Sequence, residues 1–163
     1  TLPNVIECFD ISNHGTEHVV AAMTQWVNGK PNKDAYRKFL IKSVINRQDD
    51  FAAMREVILR RYTHLQQENI PFPDLILIDG GPGQLSSALE SLERIGAKIP
   101  IIGLAKRDEE IYLPHEKEPR KYDKKSSMML HIRKMRDSVH TLVLSYNKKR
   151  RQMKLREQMK DAK

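Results

Sequence analysis

Two acidic residues stand at positions in this sequence where a charge is hard to stabilise. Asp79 follows the four aliphatic residues 75–78, a run typical of a strand buried on both faces. Asp10 lies in a second strand-like run, residues 5–11, where the alternation of a strand puts it on one face with Cys8. Such a carboxylate is costly unless a cation or hydrogen-bond donors offset its charge. Two carboxylates on neighbouring strands commonly hold Mg²⁺ or Mn²⁺ for phosphodiester chemistry.

Each acid also has a simpler interpretation. Asp79 is followed by glycine, and Asp-Gly is a common turn former, while Asp10 can pair with a local amide at the end of its strand. The glycines after Asp79 allow a phosphate to approach backbone amides near a helix start. The segment lacks the Gly-Lys-Ser/Thr ending of the nucleotide-hydrolase loop.

Two further residues are candidates for the same centre. His140 lies beside the apolar stripe of the last predicted helix, with Arg136 one turn before it. A histidine facing carboxylates can ligate a metal or move a proton, although a lone histidine is more often structural. Asp50 either caps the helix that follows it or joins the acidic centre, and the residues alone leave both possibilities open.

Basic and aromatic residues at several places are candidates for binding nucleic acid. An aromatic ring among cations stacks bases, and arginine and lysine side chains hold phosphates, although each such residue is more often solvated surface. The predicted DNA-binding residues are Tyr36, Arg37, Lys106, Arg136, Lys148, Lys149 and Arg150.

Composition favours an anionic partner. The chain has 163 residues with 29 Lys plus Arg against 21 Asp plus Glu, and its hydrophobic content of 39% indicates a globular domain. The one cysteine cannot form an internal disulfide, and no run approaches a membrane span or a signal peptide. We therefore expect a cytoplasmic protein without an organic cofactor, monomeric in isolation. The expected units are a domain over 1–147 and a tail over 148–163, whose eight basic and two acidic residues give +6.

Hydrophobic periodicity predicts the order of elements. Three strands come first, over 5–12, 17–27 and the segment containing Tyr36 to Ile41, with a hairpin turn at 28–32. Helices and strands then alternate. Their apolar positions are Phe51, Met54, Ile58, Tyr62 and Leu65; the strand 75–78; Leu85, Ala88, Leu89, Leu92 and Ile95, ending at Gly96; the strand 101–105; and Met128, Ile132, Met135, Val139, Leu142 and Tyr146.

The charged segment 107–125 is predicted to be a surface excursion with a possible short strand at 110–113. Three antiparallel strands followed by alternating helices and strands are the element order of the ribonuclease H-like fold. That fold is α/β, a mixed sheet flanked by helices, and the step to it is an analogy of order.

Several motifs in this order resemble one known family. They are Glu7-Cys8-Phe9-Asp10-Ile11-Ser12, Tyr36-Arg37, Asp49 to Met54, Leu75 to Leu85, Gly103-Leu104-Ala105-Lys106 and Arg136-Asp137-Ser138-Val139-His140. Together they resemble the C-terminal half of the bacterial excinuclease subunit UvrC over nearly the whole chain. Pro82 stands where the family usually has lysine and Gln48 where it usually has glycine, and the histidine of the first strand's trailing turn is displaced to His14.

The resemblance implies a ribonuclease H-like endonuclease domain of nucleotide excision repair, which cuts the damaged strand on the 5′ side of the lesion. It implies a catalytic set of Asp10, Asp79 and His140 with a further acid at Asp50, and partnership with damaged duplex DNA and UvrB, with UvrA acting upstream. The family's N-terminal nuclease, UvrB-binding segment and helix-hairpin-helix pair have no counterpart in this sequence. We therefore expect weak DNA binding and at most one incision.

The sequence thus predicts a metal-dependent endodeoxyribonuclease. Asp10, Asp79 and His140 are the expected ligands of Mg²⁺ or Mn²⁺, which would activate a water for attack on phosphorus. Two alternatives stay open. One is another ribonuclease H-like nuclease, of the endonuclease V type, which recognises deaminated bases. The other is a nucleic-acid-binding or assembly module without catalysis.

Overall fold

The computed structural model describes residues 3–13, 18–45, 47–105 and 110–161. Within these ranges the chain forms eight strands, three α-helices and a 3₁₀ turn at Lys33–Ala35. The strands are β1 (Val5–Ser12), β2 (His18–Val27), β3 (Lys30–Pro31), β4 (Arg37–Ile45), β5 (Leu75–Asp79), β6 (Ile101–Leu104), β7 (Glu110–Tyr112) and β8 (Arg120–Lys121). The helices are α1 (Asp50–Gln67), α2 (Pro82–Arg94) and α3 (Ser127–Asp161). No helix in these ranges is long and apolar enough to cross a membrane.

All eight strands belong to one mixed sheet with β1 near its middle. β1 pairs with β2 antiparallel and with β5 parallel, and β5 pairs with β6 parallel. β3 and β4 both lie against the far side of β2, while β7 and β8 extend the opposite edge as an antiparallel hairpin. The predicted α/β class and mixed sheet are confirmed. The strand β8 was missed because two exposed basic residues carry no period-2 apolar signal.

Two apolar layers cover the two faces of the sheet. Side chains alternate along β1, so that Phe9 packs with α1 and α2 while Cys8 packs with α3. The same alternation on β5 places Ile78 in the first layer and Leu77 in the second. Residues of opposite parity on one strand therefore face different helices, which decides which polar side chains of β1 meet α3.

The predicted stripes are correct in their centres and wrong at three positions. Phe51 is 50% exposed although it continues the apolar period of α1, and Met128 is 46% exposed at the start of α3. On α3, Met129 and Val143 are fully buried, whereas Leu142 only packs against the edge of the layer. A stripe of period 3.6 drifts around a long helix, so terminal apolar residues leave the buried face.

A buried ion pair that sequence reasoning missed ties α1 to β1. The Glu7 carboxylate accepts hydrogen bonds from Arg61 Nε at 3.2 Å and Nη2 at 2.7 Å, and from the Tyr62 hydroxyl at 2.8 Å. Gln25 Nε2 donates a fourth bond at 2.8 Å. Glu7 and Arg61 are both buried. With every carboxylate oxygen paired, this acid needs no further cation.

A second acid on α1 satisfies an irregular stretch of β4. The pairing of β2 with β4 passes from Val20 opposite Leu40 to His18 opposite Ile45, so the residues between have no regular partner on β2. The Glu56 carboxylate accepts hydrogen bonds from the backbone N–H of Lys42 and of Ser43, the latter at 2.7 Å. These bonds, with one from Arg60, outweigh the effect of burial and lower the pKa of Glu56.

We predict that Glu56→Ala lowers the free energy of unfolding by about 1–3 kcal/mol at pH 7, because two backbone donors lose their acceptor. Glu56→Gln should cost less, since its amide oxygen still accepts one bond. A lowered pKa in the folded state contributes stability above the unfolded pKa, and that contribution disappears as pH falls through the folded value. Urea unfolding at pH 7 and pH 3 tests this: the difference between wild type and Glu56→Ala should shrink at pH 3, and an equal difference at both pH values would contradict it.

Candidate active site

The parallel pairing of β1 with β5 brings the two predicted acids together. Phe9 lies opposite Ile78, so the next residue of each strand, Asp10 and Asp79, emerges at the same edge of the sheet. By strand alternation both lie on the face that α3 covers. A shift of one residue in this register would separate the two carboxylates onto opposite faces.

The long helix α3 supplies the third member of the group. His140 Nδ1 lies 2.7 Å from Asp10 Oδ2. One ligand atom from each of Asp10, Asp79 and His140 lies within 4.8 Å of the other two. The Asp10 side chain is only 8% exposed, while that of His140 is 53% exposed. The arrangement is a buried acid in contact with an imidazole that solvent or a substrate can reach.

The electrostatics of the pair reflect two carboxylates held close together. Burial and the neighbouring Asp79 carboxylate raise the pKa of Asp10 to about 7, although the hydrogen bond with His140 acts in the opposite direction. Burial also raises the pKa of Asp79, against the lowering effects of Arg136 and His140. Two acids with raised pKa values at a sheet edge are typical of functional sites. Glu7, on the opposite face of the same strand, is fully paired inside the protein.

The position of α3 along β1 depends on a second polar contact. Asn147 Nδ2 donates to Ser12 Oγ at 2.8 Å, and both residues are buried. Ser12 is two residues beyond Asp10 on the same strand face, and Asn147 is two turns beyond His140 on the helix. The Asp10–His140 and Ser12–Asn147 contacts therefore fix α3 to β1 at two points. The sequence offered no signal for this tie except a polar residue at a position of the apolar period.

The structure does not bring Asp50 into direct contact with the three ligand candidates. Asp49, and not Asp50, caps α1, since its carboxylate accepts a hydrogen bond from the Ala52 N–H at 3.0 Å. Asp50 is the first residue of the helix and accepts a hydrogen bond from Asn13 Nδ2 at 2.9 Å. Asn13 follows β1 directly, so Asp50 lies beside the end of the strand that carries Asp10. Its catalytic role stays a prediction.

The predicted phosphate-binding residues fall in different surroundings. Arg136 is 17% exposed and bonds to Asp137, while its charge lowers the pKa of Asp79. Arg37 donates to the backbone oxygens of Asp34 and Tyr36, so it is turned back on the 3₁₀ segment. Tyr36 precedes β4 and does not belong to the strand.

Lys38, next to Arg37, is the cation that sequence reasoning passed over. It lies opposite Ala22, which in turn lies opposite Asp10, and its ammonium group sits 5.7 Å from the centre of the Tyr146 ring of α3. Lys38 therefore shares the sheet face of Asp10. Lys106 and His14 lie outside the described residues.

The basic end of the chain continues α3 without a break. Asn147 is the last buried residue of the helix, and from Arg151 to Asp161 every residue is exposed. We call residues 148–161 the basic arm. It contains seven basic and two acidic residues, among them the predicted contacts Lys148, Lys149 and Arg150. The division of the chain at 147/148 stays a prediction, with a helix running through it.

The chemistry of the three side chains fits a divalent cation. Two carboxylates carry the charge that such an ion needs, and an imidazole is a good ligand for Mn²⁺ and an uncommon one for Mg²⁺. Asp10 and Asp79 lack the internal cation that Glu7 has in Arg61, apart from the partial offset that Arg136 gives to Asp79. Cys8 does not join the group, because burial raises the pKa of its thiol to about 12.

Comparison with known families identifies related proteins. Residues 1–144 match the family described as the UvrC RNAse H endonuclease domain. A protein named UvrABC system protein C from Methanospirillum hungatei is 48% identical over 157 residues, which is 96% of this chain and 30% of that protein. The protein of the same name from Porphyromonas gingivalis is 49% identical over 90% of this chain and 24% of its own length. The chain thus spans less than a third of these curated relatives.

Solved structures give a more distant likeness. The crystal structure of human ENDOV covers 89% of this chain and 86% of its own, with 10% identity and a TM-score of 0.49. Endonuclease V from Ciona intestinalis, in complex with a 24mer DNA containing an inosine, covers 64% of this chain and 46% of its own, with 17% identity and a TM-score of 0.47.

We predict that the chain binds Mn²⁺ and that Asp10→Asn or Asp79→Asn reduces the affinity more than tenfold, because each removes one of two charged ligands. Isothermal titration measures this directly. In EDTA neither variant should have a lower melting temperature, since each relieves repulsion between buried carboxylates. Glu90→Gln, which removes an exposed acid of α2, is the matched control and should bind like wild type. Unchanged Mn²⁺ affinity in both site variants would show that the acids are structural.

Proposed function

The chain belongs to the UvrC ribonuclease H endonuclease family, and from this premise we propose that it is a metal-dependent DNA endonuclease domain of nucleotide excision repair. Its proposed reaction is the 5′ incision of the damaged strand, by water attack on a phosphodiester. The observation that carries the proposal is the convergence of Asp10, Asp79 and His140, from two strands and a helix, within 4.8 Å.

The proposed mechanism assigns a task to each of these side chains. Asp10 and Asp79 would hold Mg²⁺ or Mn²⁺ at the sheet edge. When bound there, a divalent cation supplies charge stabilisation at the scissile phosphate and a water of lowered pKa. His140 contacts Asp10 through Nδ1, which leaves Nε2 of a half-exposed ring to bind the cation or to move a proton. Arg136 offsets negative charge beside Asp79.

The partners follow from the same premise. We propose damaged duplex DNA as the substrate, UvrB as the protein that presents it, and UvrA as the factor that acts earlier, all in the cytoplasm. The names of the relatives, UvrABC system protein C, support a three-component assembly. The chain alone is proposed to be a monomer. Lys38, on the sheet face of Asp10, joins Arg136 and the basic arm as a proposed contact of the DNA backbone.

We predict that His140→Ala lowers the rate of incision by roughly 10² to 10⁴ with DNA affinity nearly unchanged, because the ring acts on the reaction and not on the duplex. Asp79→Asn should abolish incision. The measurement is single-turnover cutting of a duplex with one bulky lesion, with UvrA, UvrB and Mg²⁺ present.

An inosine-containing duplex serves as the contrasting substrate in the same assay. Cutting of inosine without UvrB would favour the endonuclease V-type alternative. Full incision by Asp79→Asn would remove the basis for a metal-dependent site here. A lower melting temperature of His140→Ala with unchanged specific activity would show a structural histidine.

We predict that the basic arm contributes electrostatic affinity without sequence preference. For each phosphate that the protein no longer neutralises, the slope of log K against log salt should fall by about 0.9 on duplex DNA, because fewer counterions are released. Replacing Lys148, Lys149 and Arg150 by glutamine should therefore weaken binding and flatten the salt dependence by up to about three such steps.

Replacing Lys117 and Lys124 by glutamine removes charge from the segment between β7 and α3 and serves as the comparison. Fluorescence anisotropy of a labelled 20-base-pair duplex between 50 and 200 mM salt, roughly the range over which such slopes are resolved, measures both sets. An unchanged affinity and slope in the arm variant would show that the arm is a solvated helix end.

A further inference from the structure

Phe51 is an exposed aromatic side chain at the start of α1. It continues the apolar period of that helix, yet it is 50% exposed, whereas Met54, Ile58, Tyr62 and Leu65 are buried. The exposure of a large ring has no counterpart in the core that the helix otherwise builds. It therefore needs an explanation from its surroundings.

The ring rests on the first turn of α2. A methyl group placed on the Cα of Gly83 would lie 2.6 Å from Cε1 and 3.2 Å from Cε2 of Phe51, closer than any side chain tolerates. Glycine inside a helix costs about 1 kcal/mol relative to alanine. The backbone of Gly83 is not in the left-handed region, so conformational freedom does not account for it. The close approach of the Phe51 ring does.

This location lies between the ends of the two strands that carry the acids. Gly83 follows Asp79 by four residues, across the turn that leads from β5 into α2. On the other side, Asp50, which precedes Phe51, bonds to Asn13 three residues beyond Asp10. Both helices begin here, and the cap residue of α2, Gly81, offers no side chain to its first-turn amides.

We propose that Phe51 and the first turn of α2 form a nucleotide subsite: the exposed face of the ring stacks on an unpaired base of the DNA strand, and the α2 amides take its phosphate. The inference rests on the proposed nuclease function and specifies how the strand is held. Aromatic rings beside phosphate-binding amides are a common means of holding single strands, and stacking tolerates any base. Asp49 and Asp50 do not oppose a phosphate freely, because Arg47 lies 3.6 Å from Asp49 and Asn13 bonds Asp50.

The occupant is a base, and not simply a charged backbone, so the test compares two oligonucleotides of equal charge. One is a 12-mer of thymidines and the other a 12-mer of abasic tetrahydrofuran nucleotides, both with the chain in EDTA so that no cutting occurs. Phe51→Leu keeps an apolar side chain but loses the flat ring. It should bind the thymidine strand roughly fivefold to a hundredfold more weakly and the abasic strand as wild type does.

Ile70→Ala provides the matched control. Ile70 is also an exposed apolar residue, 46% accessible, but it follows the opposite end of α1. It should bind both strands like wild type. Equal affinities of wild type and Phe51→Leu for the thymidine strand, or the same loss on both strands, would overturn the proposed subsite.

Phe51→Trp gives an independent readout of stacking. The only natural tryptophan, Trp26, is 2% exposed and serves as a constant background. The introduced indole should be quenched by the thymidine strand and not by the abasic strand, and quenching by neither would overturn the proposal. A chain that nicks lesion DNA without stacking bases would refute the subsite alone. One that stacks bases and never nicks would refute the proposed function alone.

Discussion

The register between β1 and β5 is the constraint on which the site depends. Because Phe9 lies opposite Ile78, the two strands end together and their next residues, Asp10 and Asp79, lie side by side on one face. The aliphatic alternation that buries β5 between two layers also determines that face, so core packing and acid placement cannot be changed separately. α3 covers the face and adds His140, and its own position is held by the Ser12–Asn147 bond.

Two acids of β1 show how a structural charge differs from a candidate functional one. Glu7 faces α1 and has Arg61, Tyr62 and Gln25 around its carboxylate, so its charge is balanced inside the domain. Asp10, three residues later on the other face, has another acid and a half-exposed histidine as neighbours. The first arrangement is complete as it stands, and the second gains from a cation. Burial alone would not have separated the two.

Much of this fold was predictable from the sequence because its signals are local. The run 75–78, the turn with Asn28 and Gly29 at positive φ, and the apolar period of the helices each identify an element without reference to the rest. Long-range polar pairs were not predictable: nothing near Arg61 in the chain points to Glu7. Phe51 satisfied the helical pattern and still left the core, because a pattern records spacing and not what the neighbouring helix leaves open. The grouping of Asp10 with His140 came from the family resemblance, since spacing alone left a lone histidine.

The continuity of α3 has a mechanical consequence. His140 and Asp161 belong to one helix, and 21 residues at a rise of 1.5 Å separate them by about 32 Å. That distance equals the rise of roughly nine base pairs at 3.4 Å each. A stiff rod of this length acts as a lever, with its short end anchored against the sheet and its long end in solvent. A torque on the far end is carried to the imidazole ring unless the helix bends near Asn147, so the rod measures distance along a duplex and transmits tilt at the same time.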